Sequence, residues 1–208
     1  SVIMVAIGSV MNYFLNLILY SFSKLAVAVF GAYFKVQSMA FMPVFGLNNG
    51  MIPIISYNYG AQKPDRMKRT MKLGVMVGCS IMVFCLAIMQ VFPGQILKIF
   101  DATDEMLLMG IPAVRIMSTA FIFAGFSVTC SGMFQAVGKG VYSMIVSMAR
   151  QLFVILPVAY FLSKAMNSVN GVWAAFPIAE VFSVIISTIF LLRVYKKIVK
   201  PMESVQRD

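Results

Sequence analysis

The chain has 208 residues, 61% of them hydrophobic and only 12% charged, with a mean hydropathy of +0.90; soluble domains run at roughly 45–50% apolar, so this composition reads as a membrane protein. Seventeen Lys and Arg against seven Asp and Glu give a net charge of +10, which in a membrane chain is an orientation signal before it is a nucleic-acid one, and no nucleic-acid partner is expected. The absence of histidine removes the His general base, the Ser-His and Cys-His nucleophile pairs and the His metal ligand, and with them most hydrolase chemistry; no metal or other cofactor is expected.

A bilayer core of about 30 Å takes about 20 apolar residues per helix, and six runs of that kind follow one another, predicting an all-α, polytopic six-helix bundle. The first covers residues 2–22 and carries Asn12 and Asn16. It starts directly after Ser1 with no basic region or small-residue cleavage site, so a signal peptide is not expected, and a longer upstream sequence is. The second, 25–55, exceeds a straight span and holds Pro43 and Pro53. The third is 71–92. A connector of residues 93–106 with Ile96, Leu97, Ile99 and Phe100 before acidic residues predicts a short amphipathic piece on the outer surface. The fourth run, 107–137, is long and carries Pro112, so a kink is expected there. The fifth, 141–162, and sixth, 172–195, are broken by Pro157 and Pro177, and a tail of residues 196–208 remains. Cys79, Cys85 and Cys130 lie in apolar runs without metal or CxxC spacing and read as small buried residues.

Connector charges set the expected orientation. Lys63, Arg66, Lys68, Arg69, Lys72, Lys139, Arg193, Lys196, Lys197, Lys200 and Arg207 fall on one face, and Lys24, Lys98 and Lys164 on the other with Asp101, Asp104 and Glu105. Basic residues mark the cytoplasmic side, so both ends of the chain are predicted there, in the cell membrane.

Four ionisable residues lie deep in the runs: Lys35, Arg115, Arg150 and Glu180. Each is roughly 13–15 Å from a helix end at 1.5 Å per residue, and charges at such depth usually face a bundle interior or water. Lys35, with Gln37 nearby, either snorkels to an interface or points into a cavity. For Arg115 and Arg150 a structural ion pair or polar contact is favoured over substrate binding. Glu180, with Ser183 and Ser187 on its face, either neutralises one of the bases or binds a proton or cationic substrate. Gly46 and Gly50 form a small-xxx-small pair suited to close helix packing, and Asn48 and Asn49 between them need polar partners.

The stretch FMPVFGLNNGMIPIISYNYGAQKPDR (residues 41–66), with AVAVFGAYFKVQS before it (26–38) and FQAVGKG at residues 134–140, resembles the multidrug and toxic compound extrusion (MATE) transporters, in their MepA-like branch. Such transporters have twelve helices in two six-helix lobes facing a central cavity. The resemblance implies that this chain is the second lobe, helices 7–12, with a missing N-terminal lobe as its partner. It further implies alternating-access export of small organic, often cationic, compounds against an inward flow of protons or sodium ions. The family's coupling acids lie in the first helix or in the seventh and tenth; here the first and fourth runs contain no Asp or Glu, and Lys35, Gln37, Asn48, Asn49, Arg115, Arg150 and Glu180 are the substrate or ion-pathway candidates. A related fold that flips lipid-linked precursors is the alternative, because three deep bases suit an anionic headgroup. A membrane-embedded enzyme built on Glu180 is a weaker one.

Overall fold

A computed structural model describes the backbone of residues 2–205 and the side chains of residues 6–204. Arg207, counted above among the basic residues, lies outside the described residues, as does Ser1. Every regular element described is a helix. The six apolar runs correspond to α1 (Val2–Tyr20), α2 (Lys24–Gly60), α3 (Pro64–Val91), then, after a short α4 (Pro93–Ile99), the pair α5 (Asp104–Ser118) and α6 (Phe121–Ala136), and last α7 (Gly140–Met166) and α8 (Asn170–Ser204). Among the described residues α2, α3, α7 and α8 are long and apolar enough to cross a membrane; α5 and α6 together make a fifth span bent by 50°; Ala6–Tyr20 is apolar but shorter.

Helix ends follow local chemistry. The Ser23 hydroxyl caps α2 by accepting from the Ala26 N–H at 3.0 Å, Pro64 opens α3 and Pro93 opens α4 where a missing N–H costs nothing, and Thr103 caps α5. Gly138 sits at φ +73° in the tight connector between α6 and α7, a left-handed conformation that a side chain would strain. The α7–α8 turn uses Asn167 in the same region, which asparagine tolerates better than most residues.

Several features differ from the sequence reading; α2 runs on to Gly60 and α3 starts at Pro64, beyond the expected 55 and before the expected 71. The fourth run bends at residues 119–120 and not at Pro112, which stays inside α5. There the Thr119 hydroxyl donates to the Ile116 carbonyl at 2.6 Å, Ser118 donates to the Arg115 carbonyl, and the Gln90 amide of α3 donates to that same carbonyl at 2.8 Å. Side chains thus take over the carbonyls that a continuous helix would have used. Pro157 does not break the fifth run either: the turns before it, Ala149–Ile155, are π-helical, a widening that relieves the clash of the proline ring with the carbonyl four residues earlier. Pro177 remains within α8. The expected tail is helical as far as described, through a second π stretch at Tyr195–Val199, with Val199 and Met202 buried beside Met67 of α3. Lys68 of α3 bridges Asp65 (2.9 Å) and Glu203 (2.6 Å), fastening this extension to the start of α3.

Buried side chains form two apolar cores. One gathers Leu15, Tyr33, Met117, Phe121 and Trp173; the other gathers Met51, Ile55, Met67, Phe134 and Val194. What separates them recurs on four helices: Asn48 between Val44 and Met51 on α2, Ser127 and Thr129 between Ala124 and Cys130 on α6, Arg150 between Val146 and Ile155 on α7, and Glu180, Ser183 and Ser187 between Ala179 and Phe190 on α8. The bundle is two apolar halves with a polar belt across its middle.

Candidate functional site

The belt is where the helices place their rare polar groups, and Arg150 is at its centre. The guanidinium Nη1 donates to Oε1 of Glu180 at 2.7 Å, joining α7 to α8. Glu180 is buried, and its second oxygen, Oε2, has no partner among the described residues. The hydroxyls of Ser183 and Ser187, on the same face of α8, are likewise buried without a partner among them. Buried polar groups are rarely left so; three on one helix face mark a place where burial of polar atoms is tolerated for something other than stability. The π-helical stretch that carries Arg150 adds to this, since such widened turns concentrate at functional sites.

Two cavities meet at Arg150. The first, about 320 Å³, lies between α2, α6, α7 and α8 and is lined by Asn48, Asn49, Ser127, Ser131, Gln135, Ser147, Arg150 and Ser183, with Phe45, Ile52, Val128 and Val146 supplying apolar wall. The second, about 270 Å³, lies towards α1 and is lined by Asn12, Gln37, Ser38, Arg150 and Gln151 with Met11, Phe34, Phe41, Phe45, Ile155 and Phe176. Phe45, Val128 and Arg150 line both. Phe34, Ser38, Phe45 and Asn49 are exposed, so the cavities open on the α2 side of the lobe. Asn48 fixes the deep wall of the first: its amide donates to the Val128 carbonyl at 3.0 Å, and its side chain occupies the space that a Cβ on Gly132 would need.

The structure therefore brings together Gln37, Asn48, Asn49 and Arg150 around the cavities, with Glu180 paired behind them. It does not bring in Lys35 or Arg115. Both side chains are exposed and neither lines the two cavities; of the three deep bases it is Arg150 that Glu180 neutralises. Gly46 and Gly50 pack on nothing within the described lobe: neither has an atom within 4 Å of where a Cβ would stand. Close packing occurs instead between α3 and α6, where a Cβ on Gly125 would lie 3.0 Å from both Cys79 Cα and the Gly78 carbonyl. Sequence reasoning passed over Gln135, Gln151, Ser127 and Ser131. The signal available for them was the one used for Asn48 and Asn49, polar groups inside an apolar run. Among the described residues no three His, Cys, Asp or Glu come together as a metal site.

Comparison with known proteins agrees with this geometry. The MatE family profile matches residues 1–161. The multidrug export protein MepA of Staphylococcus haemolyticus (strain JCSC1435) is 26% identical over 172 residues, 83% of this chain and 38% of that protein; MepA of Staphylococcus aureus (strain bovine RF122 / ET3-1) is 28% identical over 166 residues, 80% and 36%. Among solved structures, a MATE transporter in its bent conformation superposes with a TM-score of 0.88 at 19% identity, over 99% of this chain and 45% of that one. An inward-facing multidrug resistance MATE transporter gives 0.88 over 97% and 46%, and an outward-facing one 0.86 over 96% and 44%, both at 19% identity. The chain thus spans less than half the length of these relatives and has the fold of one lobe of a multi-pass membrane transporter.

Proposed function

Because this chain belongs to the MatE family, we propose that it is the C-terminal six-helix lobe of a multidrug exporter. In this reading it works against an N-terminal lobe of the same protein, and moves organic, often cationic, compounds outward in exchange for inward protons or sodium ions. The observation that carries the reading is the polar belt: two cavities lined by amides, serines and Arg150, with Glu180 paired behind it, opening on one side. Transporters built from repeated halves hold their substrate sites at such a midplane position, between the halves.

Two further features support a facing lobe. Gly46 and Gly50 lie on α2 with nothing from this lobe against them, flanked by the exposed Phe45 and Asn49, which suits a surface that another bundle approaches closely. The lobe also superposes about as well on an outward-facing as on an inward-facing relative, as expected of a unit that rocks as a whole while the opening changes sides. Substrate and ion drive such rocking only through different affinities for the two states. The bases on the connector between α2 and α3 and on the end of α8 support a reading in which those ends face the cytoplasm and the lobe lies in the plasma membrane.

Reconstitution tests this directly. Full-length protein in vesicles is expected to expel a fluorescent organic cation when a proton or sodium gradient is imposed, and to stop when both gradients are collapsed. Transport indifferent to both gradients overturns the coupling.

A further inference from the structure

The charge of the cavities is one-sided. Among the described residues lining either cavity, Arg150 alone is ionisable, and it lines both. Glu180 lines neither: its side chain is 8% exposed against 22% for Arg150, so the acid stands behind the base as seen from the cavities. The ion pair is also single-pointed, Nη1 to Oε1, not the two-bond fork that Arg and a carboxylate form when fully engaged. A guanidinium has five N–H groups, and those of Arg150 other than the one on Glu180 have no protein partner among the described residues.

The surroundings match that charge. Asn48, Asn49, Gln37 and Gln151 bring amides to the cavity walls, and Phe34, Phe41, Phe45 and Phe176 bring rings. The amides of Asn49, Gln37 and Gln151 can add neutral donors or acceptors beside the guanidinium, the Asn48 N–H₂ is taken by the Val128 carbonyl, and the rings supply an apolar bed beside them. Among the described residues no acid lines either cavity.

We propose that Arg150 is the binding residue for an organic monoanion, a carboxylate or phosphate group carried on an apolar body that lies against the phenylalanines, and that Glu180 is its built-in competitor. The anion takes the guanidinium donors turned to the cavities; Glu180 holds the arginine when the anion is gone, so that an unpaired cation is never left in the membrane. The proposal rests on the reading of these cavities as part of the transport path, and it assigns to this lobe an anion-selective half of that path.

Binding to the full-length protein in detergent tests it with three fluorescent probes of one scaffold: an alkyl carboxylate, its methyl ester and the matching trimethylammonium. The carboxylate is expected to bind about tenfold more tightly than the ester, as befits one charge-assisted pair of hydrogen bonds. Arg150→Gln is expected to erase that preference, whereas Glu180→Gln is expected to increase carboxylate affinity by removing the competitor. These opposite directions separate a ligand-binding arginine from a structural ion pair, whose two variants would act alike. The double variant R150Q/E180Q, which leaves no unpaired charge to disturb folding, is expected to bind the ester normally and to have lost the carboxylate preference. Displacement of the probe by a phosphatidic acid, or by soluble decanoate but not the lipid, upholds the proposal and tells a lipid headgroup from a free carboxylate; displacement by neither overturns it. Equal binding of carboxylate and ester, or a Glu180→Gln loss that parallels Arg150→Gln, also overturns it. Gradient-driven cation export without any carboxylate preference sinks this inference and leaves the exporter standing; anion binding without gradient-driven export does the reverse.

Discussion

The two apolar cores and the belt between them are built on the same helices yet obey different rules. In the cores, large side chains such as Trp173, Phe121, Phe134 and Met67 are fully buried or nearly so, and rings meet edge to face, as Phe134 does with both Tyr142 and Phe190 and Phe41 with Phe121. Most atoms there gain from dispersion and close contact, although the Trp173 Nε1 and Tyr33 hydroxyl are buried without a partner among the described residues and an apolar cavity of about 350 Å³ lies beside Met89 and Phe100. In the belt, Glu180 Oε2, Ser183 Oγ, Ser187 Oγ and Asn48 Oδ1 are buried without partners, and cavities of about 320 and 270 Å³ interrupt the packing. Such a layer costs stability in any bundle. Its presence on four helices at one height shows that packing alone did not shape it.

That contrast can be broken by substitution. The largest effect on stability is expected in the cores: Trp173→Ala and Phe134→Ala should each destabilise the protein by about 3–5 kcal/mol in detergent unfolding, because each leaves a cavity that rigid neighbours fill poorly. Next comes the seam between α3 and α6. Gly125→Leu places a side chain where Cys79 Cα and the Gly78 carbonyl already stand, and a cost of about 1–3 kcal/mol is expected from overpacking, whereas Gly46→Ala, with open space around it, should leave the stability of this lobe unchanged. Smaller again is Ser183→Ala in the belt. Its hydroxyl has no protein partner to lose, so a change of less than about 1 kcal/mol is expected in unfolding, against a clear loss of gradient-driven export in vesicles. Smallest is Glu203→Gln: the Lys68 side chain is 40% exposed, solvent screens the pair, and no measurable change in unfolding is expected. A Ser183→Ala variant as costly as Phe134→Ala would erase the distinction between belt and core.

Much of this arrangement was legible in the chain itself. Bilayer-length apolar runs locate the helices, because the cost of exposing backbone in lipid leaves few alternatives, and polar residues inside those runs pick out Asn48, Asn49, Arg150 and Glu180, because they are so rarely placed there without reason. What could not be read is direction around a helix axis. Lys35 and Arg115 are as deep along the sequence as Arg150, yet their side chains are exposed, and depth says nothing about which face a residue occupies. Gly46 and Gly50 show the same limit: small-xxx-small spacing shows that a face permits close approach, not which neighbour uses it, and within this lobe it is Gly78 of α3 that Gly125 and Thr129 of α6 approach. Pro112 drew attention from the true bend because a proline is visible in sequence, whereas the capture of the Arg115 and Ile116 carbonyls by Gln90, Ser118 and Thr119 depends on two helices already being side by side. The π-helical turns around Arg150 have no sequence signature beyond the proline that follows.

The central claim is that the Arg150–Glu180 pair belongs to the belt for transport and not for stability. The most direct measurement compares the full-length protein with its R150Q/E180Q variant, both reconstituted in vesicles, by unfolding and by gradient-driven export. Removal of both charges together leaves no orphaned ion, so the variant is expected to unfold at nearly the temperature of the parent, while export falls to the level of protein-free vesicles. Export at the parent rate, or loss of export that merely follows loss of the fold, contradicts the account.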